Sequence, residues 1–523
     1  MELSKILVLF VLGLVLHLFS KRSRVRLPPG PRRLPVLGNL LQILLELDFS
    51  QSWLTFSKWK QLYGPLVYLD VAGQPVVILN SRKVVEDLLE HRAPKYSDRP
   101  PNLIVGKYVT RHLNVVHMHY GEPWRRMRRA SETALGPRMT PNYYRKQTDE
   151  SVLMTFGILE QPDNWKYQAN RAAASSILST VYDLPSIQSP DHPSIAFMDD
   201  FIDRTTAALL PGSHLANVFP VLDCLPDFMS KWRLRAMDDF ERYTRTFQDM
   251  FFKIKNKSRN GMEQGLSFCA TLVENEARHG MSDEESAWLA GVLYAAGQET
   301  STSALHWFFF SMVLFPEVQQ RAQDELDKVV GRSRLPSFAD MKHLPYIVAI
   351  INELQRWRPA TPLGAPHAVM EDDYYKGYLI PKGSIAVASV WSLNHDPEIY
   401  GPDAAQFRPE RHLDEDGVLK DPKNDGHFTF GFGHRVCVGR HVANNFLFIT
   451  CAVVLWAMRI EPVKDAKGNS ILPDSDSCNV INGMILRPSH FEFTAGARFE
   501  DADALIQQAR DEIVRESTAL VDV

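Results

Sequence analysis

His427–Ile449 reads HFTFGFGHRVCVGRHVANNFLFI, and the reading of the whole chain turns on it. Gly431, Gly433 and Gly439 surround Cys437, and an apolar helical pattern begins just after them. Glycine lets a backbone take positive φ and approach a flat ligand closely. A helix start supplies unpaired N–H groups and a positive dipole end, and both favour a thiolate over a thiol. Arg435, two residues before the cysteine, adds a cation that can also meet a carboxylate. A lone cysteine in a Gly-rich turn is more often a buried structural thiol. Here Phe430-x-x-Gly433-x-Arg435-x-Cys437-x-Gly439 fixes five positions, a match expected by chance in roughly one such chain in ten thousand. These features describe an anionic sulfur ligand.

Outward from the loop, the other cysteines are Cys224, Cys269, Cys451 and Cys478, widely spaced and without a C-x-x-C pair. That pattern argues against a disulfide framework, a zinc site or an iron–sulfur site, and fits a reducing compartment. Upstream, Ser282 and Glu285 form a capping box, and helical periodicity runs from there to Phe315, stopped by Pro316. The middle of that helix, WLAGVLYAAGQETSTSALHWFFF, is apolar around most of its circumference, which predicts burial through the core. Gln298, Glu299, Thr300 and Ser301 interrupt it. A shorter helix over Tyr346–Arg358 carries Glu353 and Arg356 at i, i+3, on one face. Alone, that pair reads as a surface ion pair. Leu66–Leu79 alternates as a strand pair turning at Gly73, Gln74 and Pro75. The expected class is mainly α with minor β, and no internal repeat is present.

The chain of 523 residues is 45% apolar with a formal net charge of −4, enough for one large catalytic body and without the broad basic face of a nucleic-acid binder. Leu3–Phe19 is almost wholly apolar and, as a helix, spans roughly 25 Å. It reads as a single-pass membrane anchor, with a cleaved signal peptide as the alternative. Lys21, Arg22, Arg24 and Arg26 follow it, against Lys5 before it, so the positive-inside bias places the body in the cytosol. Pro28, Pro29, Pro31 and Pro35 then stiffen a spacer. The expected organisation is an anchor over 1–20, a basic, Pro-rich spacer over 21–45, a catalytic body over 46–499 and a charged, solvated helical tail over 500–523.

Taken in order, the anchor and spacer, Trp124-x-x-x-Arg128, Ala296-Gly297-Gln298-Glu299-Thr300, Glu353-x-x-Arg356, Pro409-Glu410-Arg411 and the Cys437 loop resemble the cytochrome P-450 family over nearly the whole chain. The resemblance implies a triangular helical body with haem b, iron protoporphyrin IX, between the long buried helix and the cysteine loop. It implies that Cys437 is the axial iron ligand and that Trp124, Arg128, Arg435 and His367 meet the haem propionates, with Phe430, Gly433 and Gly439 shaping the loop. Arg411 then completes a buried structural cluster with Glu353 and Arg356. His412 stands where the family more often has Phe.

The implied activity is a monooxygenase that inserts one atom of O2 into a hydrophobic small molecule, with Thr300 and Glu299 delivering protons. The alternative for that pair is a structural role, with Thr300 bonding its own i−4 carbonyl. No flavin or nicotinamide fingerprint is present, so electrons are expected from an NADPH-dependent membrane flavoprotein reductase, with Arg125, Arg126, Arg129 and Arg440 as candidate contacts. Thr361–His367 (TPLGAPH) and Leu210–Leu222 are similar to fungal microsomal members of the O-methylsterigmatocystin oxidoreductase type. The implied location is the endoplasmic reticulum membrane with a cytosolic body. The rival activities are a haem-thiolate isomerase or dehydratase that uses no O2, and a non-catalytic haem sensor at the membrane.

Overall fold

The computed structural model describes residues 26–521 except 47–50, 188, 190–191, 211, 263–264, 422–425, 477 and 482–483. The expected anchor over 1–20 lies outside the described residues. The strand pair forms as β1 (Leu66–Val71) and β2 (Gln74–Leu79), antiparallel with Leu66 opposite Leu79. Its turn is shorter than the sequence suggested: Ala72 and Gly73, at φ 50° and 93°, make it alone. Two successive positive φ values match the twist of a hairpin, so the chain reverses in two residues. Gln74 and Pro75 already belong to β2. Two further strands, β3 (His367–Ala368) and β4 (Ile385–Ala388), complete a sheet of order β1-β2-β4-β3. Pairing between β2 and β4 starts at Val76, so Pro75 forfeits no bond to β4.

The residues read as a stiff spacer lie along β1. Tyr68 N–H donates to Pro29 O at 2.8 Å, and Asp70 N–H donates to Asn39 Oδ1 at 2.9 Å. A Cβ on Gly30 would sit 2.0 Å from Tyr68 O, so only glycine fits that approach. The Pro-rich segment thus covers an otherwise open sheet edge.

The principal helices are α1 (Glu122–Leu135), α2 (Tyr144–Glu160), α3 (Trp165–Tyr182), α4 (Pro193–Leu209), α5 (Lys231–Arg259), α6 (Asp283–Leu314), α7 (Pro316–Val329), α8 (Pro345–Trp357), α9 (Arg440–Ala457) and α10 (Ala502–Val521). The capping box at α6 forms as predicted: Glu285 N–H donates to Ser282 Oγ at 3.1 Å, and Ser282 N–H donates to Glu285 Oε2 at 2.8 Å. Helical φ/ψ ends at Phe315, and Pro316 opens α7. Over its 32 residues α6 runs about 48 Å. Its second half, Trp307 to Val313, packs with α8 and α9 in one apolar cluster. The first half packs with α3, α4 and α5 in another. α9 is apolar enough to cross a membrane, but it is largely buried inside the protein.

After residue 458 come β5 (Met458–Pro462), β6 (Ile485–Pro488) and β7 (Phe493–Ala497), with β7 antiparallel to β5. The tail corrects an expectation. It is helical, as the sequence suggested, but it is not simply solvated. Ala502, Leu505, Ile506, Ala509 and Ile513 recur at helical spacing; Ile506 belongs to the main cluster, Leu505, Ala509 and Ile513 pack against it, and Ala502 and Ile506 are fully buried. The Arg510 guanidinium lies 5.2 Å from the Phe156 ring centroid on α2, and Arg145 pairs with Glu516. Ile506→Ala should lower unfolding stability by about 2–4 kcal/mol, whereas exposed Gln507→Ala should leave it nearly unchanged. Urea unfolding of the two variants checks this; equal effects would mean that α10 does not dock.

Candidate functional site

The cysteine loop is set by two positive-φ glycines, Gly431 at 76° and Gly433 at 55°. A Cβ on Gly433 would lie 2.1 Å from Leu89 O, so the loop can nest on that carbonyl only with glycine there. Gly439 differs: its φ is −83° and it caps α9. Cys437 N–H donates to Phe430 O at 2.8 Å, closing the loop. Burial pushes the Cys437 thiol up, while the N–H groups of Gly439 and Arg440 and the charges of Arg128 and Arg440 favour its thiolate. The residue is nonetheless solvent-accessible.

Helix α6 runs beside that loop, since Val438 and Val442 pack into the same cluster as Ala290 and Ala295. Between Ser286 and Val313 most residues of α6 are buried. The exceptions Leu293, Ala296, Gly297, Thr300 and Ala304 fall at i, i+3, i+4, i+7 and i+11, a single stripe of accessible helix in the protein interior. Thr300 Oγ1 donates to Ala296 O at 2.8 Å, the i−4 bond anticipated as its structural alternative. That bond leaves the lone pairs of the hydroxyl oxygen free to accept. Gly297 also serves packing, because a Cβ there would meet Ile177 at 3.0 Å. Glu299, the remaining exception, faces elsewhere: its Oε1 accepts from Arg487 Nη2 of β6 at 2.6 Å. The structure therefore does not place Glu299 against Thr300.

Beside the loop is a buried cationic cradle. The Arg435 guanidinium stacks 4.4 Å from the buried Trp124 ring and donates to the carbonyls of Ser97, Val115 and Met118. Arg99, which the sequence reading missed, donates to Val116, Ala365 and Pro366 carbonyls. Burial, with each other's charge close by, lowers Arg435 to about 9, and burial lowers Arg99 to about 10. Arg128 donates to Val436 O and pairs with Glu132. His367 and His117 are held neutral, each lowered to about 3 by burial and by the neighbouring guanidinium charges. His367 Nδ1 bonds Tyr96 O at 2.7 Å, so Nδ1 carries the proton and Nε2 is free to accept. Among the described residues neither Arg99 nor Arg435 is ion-paired with a carboxylate; nearby Asp98 is engaged by His119 and by the Tyr120 N–H. A buried guanidinium, Arg99, and a half-buried one, Arg435, neither with an ion pair among the described residues, together suit an anion. A ligand with two carboxylates, next to an accessible sulfur and an accessible helix stripe, meets that need, and haem is such a ligand.

Glu353 and Arg356 are not a surface pair: both are fully buried. Arg356 makes a bidentate contact with Glu353, both bonds 2.7 Å. Arg411 adds a third member at 3.0 Å, and His412 Nε2 a fourth at 3.0 Å, a role the sequence reading did not give it. Burial pushes the Glu353 carboxyl up, but its bonds to Arg356 and His412 outweigh that and hold it well below the usual carboxylate range. The cluster reaches the cysteine loop through Asn394. Arg356 donates to Asn394 O at 2.6 Å, Asn394 Oδ1 accepts from Phe428 N–H at 2.9 Å, and Asn394 Nδ2 donates to Thr429 at 3.1 Å. On the outer face, Arg125 and Arg129 pair with Glu122, Arg126 pairs with Glu285, and Arg440 bonds Cys437 O.

A family model described as Cytochrome P450 matches residues 28–490. A cytochrome P450 monooxygenase of Armillaria gallica is 46% identical over 489 residues, covering 93% of this chain and 92% of its own length. Cytochrome P450 monooxygenase 58 of Postia placenta is 41% identical over 96% of this chain and 95% of its own length. In fold, the chain is similar to a zebra fish cytochrome P450 solved with abiraterone, with TM-score 0.69 and 22% identity over 86% of this chain and all of that one.

Glu353→Gln leaves Arg356 and Arg411 buried without their counter-charge and should cost about 3–5 kcal/mol at neutral pH. A carboxyl held below its unfolded value contributes stability above the unfolded range of about 4.3, and that stability is lost as pH falls through the folded value. The gap between parent and variant should therefore persist at neutral pH and close only in strong acid. Denaturant midpoints measured across pH check this, and a gap that is constant with pH would remove the charge from the account.

Proposed function

This chain belongs to the cytochrome P450 family, and we propose that Cys437 is its axial haem ligand, in a monooxygenase held at the endoplasmic reticulum membrane and fed by an NADPH-dependent flavoprotein reductase. Bound haem supplies the reduction of dioxygen and the insertion of one oxygen atom into an apolar substrate. The chain's own residues do the rest. The N–H groups of Gly439 and Arg440 and the start of α9 favour the anionic form of the Cys437 sulfur, against the burial that raises its thiol. Arg99, Arg435 and Arg128 take the carboxylates of the cofactor, with His367 Nε2 free to bind one in its protonated form. The accessible stripe of α6 presents small Ala296 and the Thr300 hydroxyl. Thr300 Oγ1 donates to the Ala296 carbonyl and can accept a hydrogen bond on its other side; Glu299, turned to Arg487, is the proton source and reaches that hydroxyl through water, each proton the hydroxyl receives being matched by one it passes on.

The observation that carries this reading is the pairing of an accessible Cys437 with two guanidiniums, Arg99 buried and Arg435 half-buried, that lack ion pairs among the described residues. The substrate is a hydrophobic small molecule, because the accessible stripe is apolar apart from Thr300. An isomerase or dehydratase that uses no O2 has no need of that hydroxyl. Support for membrane attachment comes from the Leu3–Phe19 run and from exposed apolar side chains in two places. These are Leu34, Val36, Leu41, Leu44 and Leu45 near the anchor, and Leu215, Phe219, Val221, Phe228 and Met229 between α4 and α5.

Reduced protein with carbon monoxide should give the strongly red-shifted Soret band of thiolate ligation, and Cys437→His should abolish it while retaining haem. A variant that keeps the band would move the ligand elsewhere. Asn256-Lys257-Ser258 is a glycosylation acceptor exposed near the end of α5. With a cytosolic body, the full-length protein from a eukaryotic host should carry no glycan at Asn256. A mass shift there that a glycosidase removes would reverse the orientation.

A further inference from the structure

The face of α6 roughly opposite the accessible stripe borders a second cavity. Gln298, Glu299 and Thr302 lie about 160°, 100° and 160° around the helix from Thr300, at 100° per residue. With Asp199 and Asp203 of α4, and Arg487 of β6, they line a space of about 210 Å³. Such a volume holds several waters. Asp199 and Asp203 are exposed at its mouth, and Glu299 lies inside with only 12% of its side chain exposed. Gln298, 4% exposed, donates from Nε2 to Asp199 Oδ1 at 2.8 Å, while its Oε1 is buried with no protein partner. A buried acceptor without a protein donor calls for a water.

From this arrangement we propose that Asp199 and Asp203 are positioning residues that load Glu299 with protons through water in the back cavity, so that protons enter α6 from the side away from the cysteine loop. The proposal deepens the reading of Glu299 and Thr300 given above and rests on it. Each proton that leaves Glu299 towards Thr300 Oγ1 is replaced by one from Asp199 or Asp203, which reload from bulk water, so no net charge accumulates.

Two features speak against a structural role. Asp199 and Asp203 stand at i, i+4 on one helix face, a like-charge spacing that destabilises a helix. Their neighbours are also arranged to keep protons at hand. Burial raises Asp199 and Glu299, and the surrounding carboxylates add to this, so both hold protons at higher pH than free carboxyls do. Arg487 opposes that trend and pins the Glu299 carboxylate between deliveries. Outside the lining, Tyr294 interacts electrostatically with Asp199, and His306 with Arg487 and Lys166. Burial raises Tyr294 and holds His306 neutral, at about 3.

The test uses the haem-loaded, full-length enzyme with a flavoprotein reductase and NADPH, and needs no identified substrate. NADPH oxidation, hydrogen peroxide yield and the solvent deuterium isotope effect are measured against pH for Asp199→Asn, Asp203→Asn, the double variant and Thr300→Ala. The double variant should retain haem and unfold no more easily than the parent. Its NADPH oxidation should fall several-fold as pH rises, with a larger isotope effect. That loss should be smaller than the roughly 10²–10⁴-fold expected for a group making the final transfer. Independently of turnover, infrared titration of the ferric enzyme should show the Glu299 carboxyl, identified by its loss in Glu299→Gln, titrating at lower pH in the double variant. If Thr300→Ala raises peroxide yield while the double variant keeps the parental pH profile and isotope effect, the loading role is overturned and the Thr300 reading stands. If Thr300→Ala changes nothing, the Thr300 reading falls, and with it the loading role.

Discussion

The Glu353 carboxylate is the constraint on which the site depends. A buried charge must be met, and three side chains and one backbone N–H meet this one: Arg356 twice over, Arg411, His412 and the N–H of Arg408. Each guanidinium then has donors left over, which find the carbonyls of Asn394, Tyr400, Asp403, Ala404 and Gln406. One acid in α8 thereby fixes the course of a long irregular segment. Asn394 passes the constraint to Phe428 and Thr429, and so to the loop that ends at Cys437. Replacing such a cluster with apolar side chains need not lower stability; here its consequence is position, because every carbonyl it holds is part of the route to the sulfur.

The same physics with the sign reversed operates on the other side of the loop. Arg99, buried, and Arg435, half-buried, are held on backbone carbonyls, and their charge is left for a ligand to neutralise. One cluster is closed and satisfied and the other is open to an anion, with the cysteine between them. Helix α6 repeats that division along its length. Its stripe of small and apolar residues is accessible, and its polar face carries Gln298 and Glu299 towards α4 and β6. The break in hydrophobicity at Gln298–Ser301 is therefore a change of face, with Thr300 on one side and Glu299 on the other.

Much of this was written locally. The capping box at Ser282, the Cys437 loop and the i, i+3 spacing of Glu353 and Arg356 each depend on a few neighbouring residues, and the structure forms all three. The resemblance added Trp124 and Arg128, which lie beside Arg435 and the cysteine loop, and Arg411, which lies on Glu353. The tail was read from its charges as solvated, and its apolar stripe from Ala502 to Ile513 proved the better guide. The hairpin turn was read too long because Gly73, Gln74 and Pro75 are all turn formers, whereas the twist of the strands selected Ala72 and Gly73.

The sequence by itself determined the elements, the course of the Cys437 loop and the family, because helix caps, glycine positions and motif order are local patterns that neighbouring residues enforce. Only the tertiary structure decided which charges meet. Arg435 and Ser97 are 338 residues apart, and Glu299 and Arg487 are 188 apart. No periodicity spans such distances. Desolvation makes those meetings matter: an arginine or a carboxylate on the surface is an ordinary charge, and the same group buried must find its partner or wait for a ligand to bring one.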